Sequence, residues 1–182
     1  MNRILVVVDM QKDFIDGALG TAEAVSIVDR VVEKIENWDG SVIATRDTHT
    51  ENYLNTLEGK NLPVVHCVRG TAGWDIDPKV AAALDKKGAE VVDKPTFGSM
   101  ELARMILGDN MGFHDGSGPV GEVQLVGLCT GICVISNALL LKAAMPNVPV
   151  KVDAACCACV TPDSHKTALE AMKLCQVEIL NY

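Results

Sequence analysis

Short apolar runs alternate with amphipathic stretches along the chain. Strand candidates are Arg3–Val8, Ser41–Thr45, Val64–Val68, Ala89–Val92, Val123–Gly127, Val150–Asp153 and Val177–Leu180, most of them rich in β-branched residues. Several lack polar alternation, the pattern of strands covered on both faces. Between them, Ala22–Asn37 repeats apolar residues at Val25, Val28, Val31, Val32 and Ile35, which is helical spacing. Ser99–Leu107, Ile132–Ala144 and Pro162–Cys175 predict further helices, the last with Thr161 as N-cap and Pro162 at the first helical position. Such alternation implies an α/β fold: a mostly parallel sheet with helices on both faces.

With 182 residues, the chain is expected to form a single domain, 1–182, with a proper core. Its 48% hydrophobic and 22% charged content argues against disorder, and with aromatics at only 4% the core must be aliphatic. A net charge of −8 offers no footing for nucleic acid or an anionic membrane. The first apolar run, Ile4–Val8, is too short for a signal segment or a membrane span. Cysteines number seven, an odd count, and Cys156, Cys157 and Cys159 are crowded together. That usage suits reduced thiols and a cytoplasmic location better than a disulfide framework.

The segment Gly108–Gly121 reads as a surface loop, with His114 solvated in it. Gly116, Gly118 and Gly121 spell G-x-G-x-x-G there, but they precede a strand instead of following one. Dinucleotide binding needs the opposite context, so that the phosphates meet a helix N-terminus.

In an open parallel α/β sheet, ligands bind beyond the carboxyl ends of the strands. Those positions hold Asp9, Asp47, Lys94 and the turn Cys129–Cys133. Cys133 falls where a strand turns into a helix, and a thiol in a first helical turn is favoured as thiolate by the macrodipole and free N–H groups. The same N–H groups can hold an oxyanion. Asp9 is a candidate general base, kept ionised by Lys94. The competing interpretations are a small buried cysteine and a capping aspartate.

A second group is Asp47, His49, Glu58 and His66. Asp-x-His places two ligand types a residue apart on an extended chain, where both can face one ion. The alternative is a turn cap at Asp47 and a backbone-satisfied histidine at His66. His165 shares a helical face with Ala168, Leu169 and Met172, which predicts packing against the sheet edge. Cys156, Cys157 and Cys159 are expected to be small packing residues.

Taken together, these segments resemble the isochorismatase-like cysteine hydrolases, and within them the nicotinamidase branch. The resemblance rests on Val8-Asp9-Met10-Gln11-Lys12-Asp13-Phe14, Arg46-Asp47-Thr48-His49, His66-Cys67-Val68-Arg69-Gly70-Thr71 and Lys94-Pro95-Thr96-Phe97. It continues through Gly127-Leu128-Cys129-Thr130-Gly131-Ile132-Cys133-Val134 and Asp153-Ala154-Ala155-Cys156, with His165, Ala168 and Leu169 beyond. It implies a six-stranded parallel sheet in a three-layer αβα sandwich, and an amidase whose catalytic set is Asp9, Lys94 and Cys133. The backbone amides of Cys129 and Cys133 are the implied oxyanion hole, with a cis bond between Leu128 and Cys129. The resemblance further implies a divalent metal, often zinc, on Asp47, His49 and His66, joined in some members by a carboxylate at the position of Glu58. Phe14 and Phe97 remain as candidate substrate-pocket walls, with core filling the alternative, and family members often self-associate into homo-oligomers.

Two departures stand out. Gly131 replaces a frequent Asp, and Pro63 stands where many nicotinamidases carry an aromatic residue. The expected substrate is a small amide, nicotinamide first. The alternatives are another small amide, an isochorismatase-type vinyl-ether cleavage, and a non-catalytic metal- or thiol-buffering protein.

Overall fold

The structure, a computed structural model, describes residues 2–110 and 117–182. His114 and Gly116 lie outside the described residues. Six strands form one sheet: β1 Asn2–Val8, β2 Ser41–Asp47, β3 Glu90–Lys94, β4 Val120–Leu128, β5 Val150–Ala158 and β6 Glu178–Leu180. Their order is β3-β2-β1-β4-β5-β6, and every pairing is parallel. The helices are α1 Lys12–Ile15, α2 Ala22–Glu36, α3 Leu57–Asn61, α4 Pro78–Lys87, α5 Met100–Asn110, α6 Ile135–Ala144 and α7 Pro162–Leu174.

The apolar run of β1 explains the layering. Ile4, Val6 and Val8 pack with residues of α5, α6 and α7, among them Leu102, Leu141 and Leu169. Leu5 and Val7 point the other way, onto Ile27, Val31 and Ile35 of α2 and Val80 and Leu84 of α4. Each such side chain, fully buried, contributes about 1.5–3 kcal/mol, so either layer's loss would expose half of the central strand.

Local signals account for most helix ends. Thr21 caps α2 by accepting from the Ala24 amide at 3.0 Å. Thr161 caps α7 in a reciprocal box with Ser164, which satisfies N–H groups that would otherwise be orphaned. The buried stripe of α2 is Ala24, Ile27, Val28, Val31 and Ile35, while Val25 is 52% exposed. The helix is thus rotated slightly from the face its valines predict.

Three segments differ from expectation, and the first is the Gly108–Gly121 loop, whose ends fall in α5 and β4. Val64–Val68 is no sheet strand; it runs alongside the site and makes one isolated parallel bridge, His49 to Val68. Cys67 has a φ of 46°, incompatible with continuous extended pairing, and Pro63 just upstream cannot donate to a ladder. The helix after β4 does not start at Ile132 either. A π-helical turn, Thr130–Val134, precedes α6, a distortion that recurs at functional sites.

The strand order reverses between β1 and β4. From β1 the chain proceeds outward to β2 and β3, and from β4 outward to β5 and β6. The carboxyl ends of these two central strands flank the switch point, where a crevice is expected.

Candidate active site

Asp9 follows β1 and Cys133 follows β4, so the two flank the switch point; Lys94 reaches in as the last residue of β3. All three are buried, at 0%, 5% and 1% exposure. Lys94 Nζ lies 2.7 Å from Asp9 Oδ2 and 3.5 Å from Cys133 Sγ. It also donates to the Thr96 carbonyl at 3.0 Å. Thr45 donates its hydroxyl to Asp9 Oδ1 at 2.7 Å. Asp9 Oδ2 is held by the charge of the ammonium, and the Cys133 thiol is near enough to feel the Asp9 charge. Asp9 holds a φ of 46°, a conformation rare outside glycine and the short polar residues.

Charge decides where the proton sits. Burial pushes the Asp9 carboxyl above its ordinary range, against the pull of Lys94. Burial, then the Asp9 charge, pushes the Cys133 thiol up as well. Burial disfavours a charged Lys94, but Asp9, Cys133 and Asp47 together raise its affinity for the proton. Of the pair Asp9 and Cys133, the Lys94 ammonium therefore supports one as an anion, and a single proton has two acceptors, the carboxylate and the sulfur.

Beside this set lies a nitrogen–oxygen cluster. Asp47, the last residue of β2, His49, Glu58 of α3 and His66 bring one ligand atom each within 4.8 Å of one another. His49 Nε2 is 2.9 Å from Asp47 Oδ2 and 3.6 Å from Glu58 Oε1. His66 Nε2 stands 3.7 Å from Asp47 Oδ2. His66 Nδ1 donates to the Val64 carbonyl at 2.8 Å, which leaves the Nε2 lone pair facing the cluster. His49 Nε2 is buried without a hydrogen-bond partner. A buried, orphaned imidazole nitrogen among carboxylate oxygens fits a divalent ion that accepts nitrogen and oxygen ligands.

The surrounding residues hold this cluster by its backbone. Gln11, fully buried, accepts from the Asp47 amide at 2.7 Å and donates to the Asp47 carbonyl at 2.8 Å. Asp13 accepts from the Cys67 amide at 2.7 Å and so fixes the loop that carries His66. Behind β2, the Arg46 guanidinium stacks 3.4 Å from the Trp74 ring centre and pairs with Asp93 at 2.8 Å. Asn137 of α6 donates to the Cys133 carbonyl at 2.8 Å and accepts from the Ser99 amide at 2.8 Å.

Both groups open into one cavity of about 830 Å³, lined by Cys133, Cys129, Ile132, Phe14, Phe97 and the four cluster residues, with Leu19, Leu57, Leu62 and Val160 farther around. Both predicted walls, Phe14 and Phe97, therefore line it. Asp9 and Lys94 are not part of the lining and stand behind the thiol. The Leu128–Cys129 peptide is cis, as the resemblance implies.

Comparison with known proteins bears on this geometry. The isochorismatase domain family matches residues 3–181. The chain belongs to the isochorismatase family. A nicotinamidase/pyrazinamidase of Mycobacterium tuberculosis is 30% identical over 191 aligned positions, covering 98% of each chain. The pyrazinamidase of Pyrococcus horikoshii, solved in complex with zinc, is 26% identical with a TM-score of 0.77 over the whole of both chains. A nicotinamidase/pyrazinamidase of Bacillus subtilis has a TM-score of 0.81 at 21% identity, again over the full length of both.

Within this isochorismatase-family frame, two features escaped the sequence pattern. His165 does more than pack against the sheet edge. Its Nδ1 lies 2.7 Å from Thr130 Oγ1, and Thr130 sits in the turn between Cys129 and Cys133. Burial lowers the proton affinity of His165, so the neutral ring is favoured. A β-carbon placed on Gly131 would come 3.2 Å from Cys159 Sγ. The sulfur thus takes up space that a side chain at 131 needs, a physical reason for glycine where the family often carries Asp. Cys156, Cys157 and Cys159 are all buried, at 6%, 4% and 4% exposure, in keeping with packing.

Proposed function

We propose that this chain is a nicotinamidase, a cysteine amidohydrolase that converts nicotinamide and water to nicotinate and ammonia through a thioester on Cys133. The observation that carries the proposal is the buried Lys94, which touches both Asp9 and Cys133 beneath a cavity that also contains an imidazole–carboxylate cluster. A vinyl-ether cleavage by acid chemistry calls for neither the thiol nor that cluster. The kinship with the M. tuberculosis enzyme supports the same choice.

Asp9 takes the thiol proton as Cys133 Sγ attacks the carboxamide carbon. The negative charge shared by Asp9 and Cys133 thereby stays at one throughout, because it moves from carboxylate to sulfur and then to the oxyanion. The backbone amides of Cys129 and Cys133 receive that oxyanion. Asp9 returns its proton to the amine as the C–N bond breaks, so ammonia leaves and the acyl group stays on sulfur. A water molecule, deprotonated by Asp9, then adds to the thioester; the C–S bond breaks, the leaving sulfur takes the proton back from Asp9, and the acid departs. Asp47, His49 and His66, with Glu58 beside them, would hold a divalent ion, zinc by analogy with the P. horikoshii relative. When bound, that ion supplies a Lewis-acid contact for the ring nitrogen and so orients the amide. Phe14 and Phe97 flank the ring.

We place this activity in the cytoplasm and in a single domain over 1–182, as a self-associating enzyme. All seven cysteines are unbridged, which suits a reducing compartment. Among the described residues no helix is long and apolar enough to cross a membrane. The deciding experiment measures ammonia release from nicotinamide by the wild-type protein and by Cys133→Ala, alongside metal content. Nicotinate formation by the wild type alone supports the proposal; metal-loaded wild type that releases no ammonia from nicotinamide overturns it.

A further inference from the structure

The cavity is far larger than a single ring with a carboxamide. Its volume of about 830 Å³ lies toward the upper end of the roughly 300–1,000 Å³ that enclose drug-sized ligands. Polar groups are confined to a few places: the thiol turn, the four cluster residues, and Thr56, Asn61 and Thr96. Elsewhere the wall is apolar and open to solvent at its rim. Leu57 is 77% exposed, Val160 58%, Phe97 46% and Leu62 38%, yet all four line the cavity. They come from separate places in the fold: α3 and its C-cap, the loop after β3, and the turn after β5.

Resting on the nicotinamidase proposal, we infer that these four residues form a second subsite, and that the enzyme accepts aromatic carboxamides bearing an uncharged apolar substituent on the ring. Scattered exposed leucines need no explanation, but apolar side chains gathered around one cavity mouth mark a surface that binds something apolar. Two constraints locate the substituent. The carboxamide must reach Cys133, and the ring nitrogen must face the Asp47–His49–Glu58–His66 cluster. Ring carbon 5 lies opposite the edge that bears both groups, so a substituent there can leave the reacting end undisturbed. An anionic substituent is disfavoured, since Asp47 and Glu58 already line the cavity and the chain carries a net charge of −8.

The test compares kcat/KM for nicotinamide, 5-propylnicotinamide, 5-phenylnicotinamide and 5-carboxynicotinamide on the metal-loaded enzyme. The expected order puts the propyl and phenyl amides at or above nicotinamide, and the carboxylate at least tenfold below it. A Leu57→Ser, Val160→Ser variant should lower the phenyl-to-nicotinamide ratio on the order of tenfold. Turnover of nicotinamide with the phenyl and propyl amides tenfold or more poorer overturns the subsite and leaves the nicotinamidase assignment standing. A ratio unmoved by the double variant also overturns it. No turnover of nicotinamide, with ready turnover of the phenyl amide, removes the nicotinamidase assignment but upholds the substrate class.

Discussion

Asp47 and Lys94 are register partners at the carboxyl ends of β2 and β3, and their side chains meet with Nζ 3.5 Å from Oδ1. One pair of neighbouring strand ends thus ties the proposed ion site to the proposed catalytic set. The link is asymmetric, because Lys94 sits closer to Asp9, at 2.7 Å. Removing the Asp47 carboxylate should therefore strip the ion site while Lys94 keeps its main partner. Asp47→Asn is expected to lose bound metal by at least 10–100-fold in affinity, the range even supporting contacts command. Cys133 should still react with iodoacetamide in that variant. Elemental analysis and alkylation rates check the two halves; a variant that retains stoichiometric metal removes Asp47 from the ligand set.

Lys94 itself makes a sharper case. Lys94→Met leaves Asp9 fully buried with no cation, and uncompensated buried charge costs about 3–5 kcal/mol. The carboxyl then takes up a proton, as burial already inclines it to do, and a protonated Asp9 cannot act as base. Two outcomes follow: a lower urea midpoint, and a kcat reduced by at least the 10²–10⁴ that general-base catalysis typically supplies. Cys133→Ala, by contrast, should abolish turnover with little loss of stability, since a small apolar group fills most of the thiol's place. Equal activity in Lys94→Met and wild type would exclude the charge argument.

These two residues also mark what can be read without coordinates. Asp9, Lys94 and Cys133 are legible because a parallel α/β sheet gathers its strand ends, and their spacing in sequence carries no other hint that they touch. The cluster residues Asp47 and His49 are legible for the same reason, through local spacing. Val64–Val68 misleads because β-branched composition does not by itself specify sheet pairing; Val65 is exposed, and the buried residues of the segment are His66 and Cys67. Helix α4 was within reach of sequence signals that the strand–helix pattern left unused. Asp77 caps it, Pro78 opens it and Gly88 closes it at a φ of 62°, the ordering expected of a helix. Gln11 and Asn137 lie beyond such reasoning. Their partners are backbone atoms 36 residues away or on a neighbouring loop, and backbone partners leave no residue type to recognise.

The Thr130–His165 contact gives a pH-dependent expectation. Burial depresses the His165 pKa below its ordinary 6.5, so the folded chain favours the neutral ring. Below pH 6.5 the unfolded chain binds a proton there that the folded chain resists until its own lower pKa is passed. Stability from this group is therefore full above pH 6.5 and falls on acidification through that window. Wild type should lose more stability between pH 7 and pH 5 than His165→Asn, as read from urea midpoints. Because the contact orders the turn between Cys129 and Cys133, His165→Ala should lower kcat about tenfold with KM little changed, and His165→Asn should restore part of it. A loss confined to KM would place His165 elsewhere in the cycle.

Gly131 and Cys159 supply a packing test that is independent of chemistry. A methyl group on residue 131 would sit 3.2 Å from Cys159 Sγ, closer than ordinary contact; Gly131 lies in the π-helical turn and Cys159 directly after β5. Alanine intrinsically favours helical backbone over glycine by about 1 kcal/mol, so the single substitution Gly131→Ala sums a gain and a clash. The clash is isolated by a double-mutant cycle with Cys159→Ala, which trims the sulfur. Gly131→Ala should be more stabilising, or less destabilising, in the Cys159→Ala background, with a coupling of roughly 0.5–1 kcal/mol. Additive effects in chemical denaturation would mean that the sulfur moves aside freely, and that glycine at this position answers to something other than space.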